Sequence, residues 1–370
     1  MALFREEVLQ PALTRPHWVN GPVRDSSLLF LDKNENMDST YIALIQSVVA
    51  DSCLSVTNQY PDCSALYRKL ARKLQVSPDM LMLGPGSDGI IRYIFEACIS
   101  PGDSIIITDP SFAMYAVYSQ IYGAQCHKVG YLKNANTLEL DIEYLLQTIH
   151  NHQPKVVFLP NPDSPTGTLL SEHQIIQILQ AAAAVDAFVF IDEAYYPFFD
   201  YTVLPLLQTF SNLIIARTFS KAWGLAGARV GYAIAQPELM RYLHKVRPMY
   251  EIGAMSAAVV YRALDYEAEM LSSVKRLNAG KEYFKKAMEG LGFQTLLTFG
   301  NFQHVAFGAF SQAIHAALSN LVLYRQDFPG TVLAGYSRFS ATTEVPFNAI
   351  IERIHTVVMP HDAPCHAQCE

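Results

Sequence analysis

The chain has 370 residues, 51% of them apolar and 16% charged, with a formal net charge of −7. That is a globular balance, long enough to bury a large core with no disulfide or metal staple and too apolar to be disordered. The acidic sign argues against nucleic acid or an anionic membrane surface as the main partner, since both demand a basic face, but it leaves room for a small basic pocket.

From about residue 80, strand-like and helix-like segments alternate. The run SIIIT (104–108) is short, apolar and β-branched, and reads as a buried strand; 112–122 follows as a helix. KVVFL (155–159) is a strand, 172–185 a helix, AFVFI (187–191) a strand, and 213–216 and 230–235 two more. Continuous apolar strands separated by helices predict a mostly parallel sheet covered on both faces, the doubly wound α/β class. Past about residue 260 the rhythm changes. The pattern predicts one long helix over 262–291, strands at 293–298 and 304–307, and a helix at 311–319, which together form a smaller α+β domain. No internal repeat or low-complexity tract interrupts the chain, and no apolar run is long enough to span a bilayer.

The opening residues carry Arg5, Glu6 and Glu7 in place of the apolar core of an export signal. The cysteines at 53, 63, 98, 126, 365 and 369 are therefore expected as free thiols of a cytoplasmic protein. The tail from His361 to Cys369 has no second ligand pair at zinc spacing, so a frayed terminus is expected there and no metal.

In an open parallel sheet, ligands sit beyond the carboxyl ends of the strands. Here the exits hold the unusual residues. Gly84-Pro-Gly-Ser-Asp-Gly89 opens a helix and formally matches a dinucleotide-binding turn, with Asp109 at a suitable distance downstream; the plain alternative is a turn with Ser87 as the helix cap. No Lys-Ser/Thr follows, which excludes a P-loop. Asn161-Pro-Asp-Ser-Pro-Thr-Gly-Thr168 is a stiff loop whose X-Pro bonds are candidates for the cis form. In Ile191-Asp-Glu-Ala-Tyr195, adjacent Asp192 and Glu193 point to opposite faces of a strand, so only one can serve a given site. An acid at a buried strand end also demands a cationic partner. Finally, Thr218-Phe-Ser-Lys221 puts a lysine just past a buried strand. Small neighbours leave space for a planar ligand, and Arg229 follows as a second cation suited to phosphate.

Together these segments resemble the fold-type I aminotransferases that depend on pyridoxal 5'-phosphate (PLP), most of all their histidinol-phosphate aminotransferase-like branch. The phrases are LDKNEN (31–36), NQYPD (58–62), GPGSDGII (84–91), DPSFAMY (109–115), NPDSPTG (161–167), DEAY (192–195) and TFSKAWGLAGARVGY (218–232), in family order, with YSRFS (336–340) matching more loosely.

The resemblance implies an aspartate-aminotransferase-like fold. Residues 46–260 would form the large PLP-binding domain, and 1–45 would join 261–370 in the small one. It implies that Lys221 holds PLP as a Schiff base, Asp192 pairs with the pyridine nitrogen, and Tyr195 and Ser164 face the phenolic oxygen. Phe112 would stack on the ring. The phosphate would take Ser87 and Asp88 N–H groups, Thr218 and Ser220 hydroxyls, and Arg229. Tyr60 would reach it from the other subunit of a homodimer. Arg338 and Asn34 would bind substrate, an amine donor or a keto acid.

Four positions depart from the pattern. Ser164 replaces an asparagine, Gly89 a glutamate and Met37 a proline, and an arginine expected near Tyr324 is shifted to Arg325. Loops at 1–36, 248–256 and 320–340 would set substrate choice.

A decarboxylase, cyclase or lyase on the same scaffold is the nearest alternative. An NAD-dependent oxidoreductase using Gly84, Gly86, Gly89 and Asp109 leaves Lys221, Asp192 and Arg229 without a task. A PLP-binding regulator would need an appended DNA-binding segment, and the chain shows none. Trp223 reads as packing, His244 and His304 as ordinary surface or core residues, and the Arg241–Arg247 cluster as a solvated helix face.

Overall fold

The computed structural model describes residues 5–11, 13, 24–52 and 58–359. Its strands in chain order are β1 (Leu29–Leu31), β2 (Leu81–Gly84), β3 (Ser104–Asp109), β4 (Gln125–Asn134), β5 (Thr137–Leu140), β6 (Val156–Pro160), β7 (Phe188–Asp192), β8 (Leu213–Thr218), β9 (Gly231–Ala235), β10 (Gln294–Thr295), β11 (Phe302–Ala306), β12 (Val322–Tyr324) and β13 (Ser337–Ser340).

Eight of them form one sheet in the order β2-β9-β8-β7-β6-β3-β4-β5. The run from β8 to β4 is parallel, while β9 lies antiparallel to both β8 and β2. Pleating sends alternate residues to opposite faces. Val157, Leu159, Val189, Ile191, Leu213 and Ile215 enter one core, against helices Ser64–Leu74, Ile142–His152, Glu172–Ala183 and Ala254–Ala263. Val156, Phe158, Phe190 and Ile214 enter the other, against helices Gly86–Cys98, Ala113–Ile121 and Pro237–Leu243. Burial on both faces explains why these strands read as unbroken apolar runs.

The C-terminal third builds its own core from Phe284, Phe293, Val305, Phe339, Phe347 and Ile350. β10, β11 and β13 make a small antiparallel sheet. β1, from the N-terminal segment, pairs in parallel with β12, so residues 29–31 join the C-terminal third here.

Several sequence expectations change. The long helix is broken: Ala254–Ala263 ends in a tight turn at Leu264–Tyr266 before Glu267–Gly290 begins. At the break, the Lys69 ammonium donates to the Tyr261 carbonyl and pairs with Asp265, tying the turn to the Ser64–Leu74 helix. The strand expected over 293–298 shrinks to β10. Ser87 is not a helix cap; Pro85 holds that position and Ser87 lies in the first turn. Cys63, Cys98 and Cys126 are free thiols, while Cys53, Cys365, Cys369 and the His361–Cys369 tail lie outside the described residues. Trp223 packs on Phe219, and Arg247 is tied to His244 and Glu251. Among the described residues no helix is long and apolar enough to cross a membrane, and no cluster of metal-ligating side chains forms.

The acid pair at the end of β7 divides as the pleat requires. Glu193 turns to the face away from the strand-exit cavity and pairs with Arg217 of β8 at 2.8 Å, both side chains almost fully buried, while Thr202 and the Val203 N–H bond the same carboxylate. Breaking a buried pair leaves the other charge stranded. Glu193→Gln should therefore lower the unfolding free energy by about 3 kcal/mol or more, whereas Glu193→Leu with Arg217→Met should recover most of that. Denaturant titration of both variants checks this; equal losses would show that the pair is not what the site depends on.

Candidate active site

The carboxyl ends of β6, β7 and β8 open into a cavity of about 380 Å³, closed from the other side by residues 32–34 and by Arg338 of β13. Ser87, Asp88, Phe112, Ser164, Asp192, Tyr195, Thr218, Ser220, Lys221, Arg229, Arg338 and Asn34 all line it. Of the residues that the resemblance assigns to cofactor or substrate, Tyr60 alone stays outside. It is 79% exposed and stacks on Tyr250 with ring centroids 4.5 Å apart.

Asp192 ends β7 in register with Pro160 of β6 and Ala216 of β8. One carboxylate oxygen accepts the Ala194 N–H at 3.0 Å and the other the Tyr115 hydroxyl at 3.2 Å. No cation pairs with it among the described residues, and burial pushes its pKa up to about 7. A buried carboxylate so placed awaits a proton-bearing base. Across the cavity, burial and then Arg338 and Arg229 push the Lys221 amine down to about 8, and it donates to the Lys33 carbonyl at 2.7 Å. A lysine near neutrality is a competent nucleophile.

A third corner is built for an anion. The Gly86–Cys98 helix starts beside the cavity, and the N–H groups of its first turn, which holds Ser87 and Asp88, have no intrahelical carbonyl to bond. The Asp88 carboxylate is turned aside onto the Tyr118 hydroxyl. Thr218 and Ser220 bond each other, and Arg229 leans on Ser220 with no carboxylate partner among the described residues. Glycine makes this corner possible. A Cβ on Gly86, which has φ +79°, would stand 2.7 Å from the Arg229 guanidinium, and one on Gly231 would meet the Gly86 backbone at 2.5 Å. Gly89 has its own reason: a Cβ there would strike the Pro85 ring at 2.5 Å, so proline at the cap excludes a larger residue one turn on.

Tyr195 presents its hydroxyl between Ser164 and Asn34, whose amide donates to it at 2.8 Å. Asn34 is thus bound within the protein: its oxygen accepts from Ser340, and its carbonyl accepts from Asn301. Arg338 donates to the Asp32 carbonyl at 2.9 Å and has no ion pair among the described residues. Phe112 lines the cavity and meets Tyr115 edge-on. Both Asn161-Pro162 and Ser164-Pro165 are cis.

The dinucleotide reading fails on topology. Asp109 ends β3, which four intervening strands separate from β2 in the sheet order, and its exposed carboxylate faces Lys128. Sequence reasoning missed the hydroxyl of Tyr115, the Asn301 anchor and the Asp32 and Lys33 carbonyls. Tyr115 lay inside a quoted motif, but only the fold aims it at Asp192.

These groups fit one kind of ligand: an aldehyde for Lys221, on an aromatic ring with a basic nitrogen for Asp192, bearing an anionic arm for the helix terminus. The Lys221 pKa gives a test. Its neutral fraction rises as pH climbs through about 8, so capture of a small aldehyde by the protein should accelerate between about pH 7 and 9 and then level off. A rate still climbing at about pH 11 would mean an unperturbed lysine.

Comparison with known proteins agrees with this chemistry. Residues 28–354 match the family model for aminotransferases of class I and II. A histidinol-phosphate aminotransferase of Thermoanaerobacter sp. (strain X514) is 38% identical over 267 residues, 71% of this chain and 72% of that protein. One from Carboxydothermus hydrogenoformans is 30% identical over 358 residues, 96% and 98% of the two chains. The crystal structure of histidinol-phosphate aminotransferase from Sinorhizobium meliloti in complex with pyridoxal-5'-phosphate superposes with a TM-score of 0.77 at 23% identity, covering 89% of this chain and 90% of that one, which shows a shared fold. With a family match over nearly its whole length and a full-length relative, the chain belongs to the class I and II aminotransferases.

Proposed function

We propose that this PLP-dependent aminotransferase moves the amino group of a phosphorylated amine to a keto acid, with histidinol phosphate as the first donor to test. The observation that carries the reading is the convergence on one cavity of Lys221, a cation-free Asp192 and an anion-binding corner. The donor is proposed on the names of the relatives at 38% and 30% identity. The large domain is proposed to span 46–260, with 1–45 and 261–370 in the small one.

When bound, PLP supplies the electron sink for the bond that breaks at the amine-bearing carbon. The protein's own groups do the rest. Lys221 Nζ would hold the cofactor and would serve as the base that takes the proton from the reacting carbon; a pKa of about 8 suits both tasks. Asp192 would keep the ring nitrogen protonated, a role consistent with a carboxylate bonded, among the described residues, by the Tyr115 hydroxyl and one backbone N–H. Tyr195, steadied by Asn34 and Ser164, donates to the phenolic oxygen. The first turn of the Gly86–Cys98 helix, Thr218, Ser220 and Arg229 hold the phosphate. Arg338 clamps a substrate carboxylate.

A homodimer is also proposed. Tyr60, Met249, Tyr250, Met255 and Tyr261 are exposed apolar side chains, and Tyr60, Tyr250 and Arg229 lie about adjoining hollows beside the anion corner. A second copy would cover this face, and Tyr60 is placed to serve the partner's phosphate site.

The test is the absorption spectrum of the purified holoenzyme during stepwise addition of donors. Histidinol phosphate should bleach the yellow band, and a keto acid should restore it. Release of carbon dioxide or a cyclised product without bleaching would overturn transamination. Asp192→Ala should lower kcat by about a hundredfold or more, as expected for removal of a charge that stabilises the transition state.

A further inference from the structure

His304 stands out on the small sheet. Its side chain has no exposure, and neither ring nitrogen has a partner among the described residues, whereas the buried Gln303 and Ser337 side chains are hydrogen-bonded. β11 and β13 set it directly opposite Arg338. Arg338 spends both its N–H and its C=O on Arg325, so its pairing with His304 is of the closer kind, without backbone bonds between the two residues. Directly opposed residues share a face of the sheet. Phe302, His304, Arg338 and Ser340 therefore face the cavity side, and Val305 and Phe339 face the small-domain core.

The imidazole and the guanidinium share their walls. Phe302 and Phe328 lie 5.4 and 5.8 Å from the His304 ring, and the Arg338 guanidinium lies 5.2 and 5.7 Å from the same two rings. The orphaned groups are complementary. Arg338 Nε–H is buried without an acceptor, and a neutral imidazole carries one free lone pair. Burial, reinforced by the Arg338 charge, holds His304 far below its ordinary value, so it is neutral.

We infer that His304 is a positioning residue for Arg338, accepting from Nε–H when the guanidinium fork leaves the Asp32 carbonyl to engage a substrate carboxylate. The clamp then has two settings. At rest one terminal nitrogen holds Asp32; when engaged, the fork takes the carboxylate and Nε turns to the imidazole. This rests on the reading of Arg338 as the carboxylate clamp.

The experiment uses the holoenzyme and two readouts, steady-state kinetics with a keto-acid acceptor and calorimetric binding of glutarate, a non-reactive dicarboxylate. His304→Leu should raise KM and the glutarate Kd about tenfold, the loss of one charged hydrogen bond, with kcat within about twofold. Its Tm should be no lower than the parent's, because an apolar side chain replaces an unsatisfied polar one. His304→Gln, which keeps an acceptor, should restore much of the affinity. Unchanged glutarate binding in His304→Leu, with Arg338→Ala strongly weakened, would overturn the role of His304 alone. Unchanged binding in Arg338→Ala would overturn the clamp itself. A lowered Tm with equal losses in both His304 variants would make the histidine a packing residue.

Discussion

A carboxylate buried at the end of a strand, with two hydrogen bonds and no paired cation among the described residues, is the constraint around which this protein is arranged. Asp192 cannot hold its charge easily in that place, where Tyr115 and one backbone N–H bond it. Among the described residues no cation pairs with it. Next door, Glu193 meets the same cost on the opposite face and meets it internally, with Arg217. One strand end thus holds a solved electrostatic problem and an open one. Lys221 and Arg338 are open in the opposite sense: both are cations inside the cavity, and each donates to a backbone carbonyl, of Lys33 and of Asp32. A ligand carrying a protonated ring nitrogen and anionic groups would close all of these at once.

The fold supports that arrangement through close backbone approach. The anion corner exists because Gly86 and Gly231 let the helix start, β9 and Arg229 come together with no Cβ between them. The cavity is closed by the N-terminal segment, pinned through β1 to β12 and through Asn34 to Ser340, Tyr195 and Asn301. Segments far apart in sequence therefore meet over the strand exits of the large sheet. Ser164 fits the same scheme: its hydroxyl still faces Tyr195, and the Asn34 amide supplies a second bond on the other side.

The large sheet was legible because its signals are local. Strands buried on both faces are continuous apolar runs, and the stiff or charged exits stand out between them. Lys221, Asp192, Arg229 and the Gly86 turn could be found from the same short segments. What could not be read comes from long-range contacts. Nothing near residue 264 announces that the helix will break there, where Lys69 of a distant helix docks on Tyr261 and Asp265. The pairing of His304 with Arg338, the aim of Tyr115 and the engagement of Asn34 all need strands or helices brought together by the fold. Asp109 shows the reverse error, a correct spacing made irrelevant by a sheet order that puts four strands between β2 and β3.

Lys221 is proposed as the covalent anchor of PLP. The direct measurement is borohydride reduction of the holoenzyme followed by peptide mapping by mass spectrometry. One stable adduct is expected, on the peptide that contains Lys221, and it should disappear in Lys221→Ala. An adduct on another lysine, or none on a protein saturated with PLP, would contradict it.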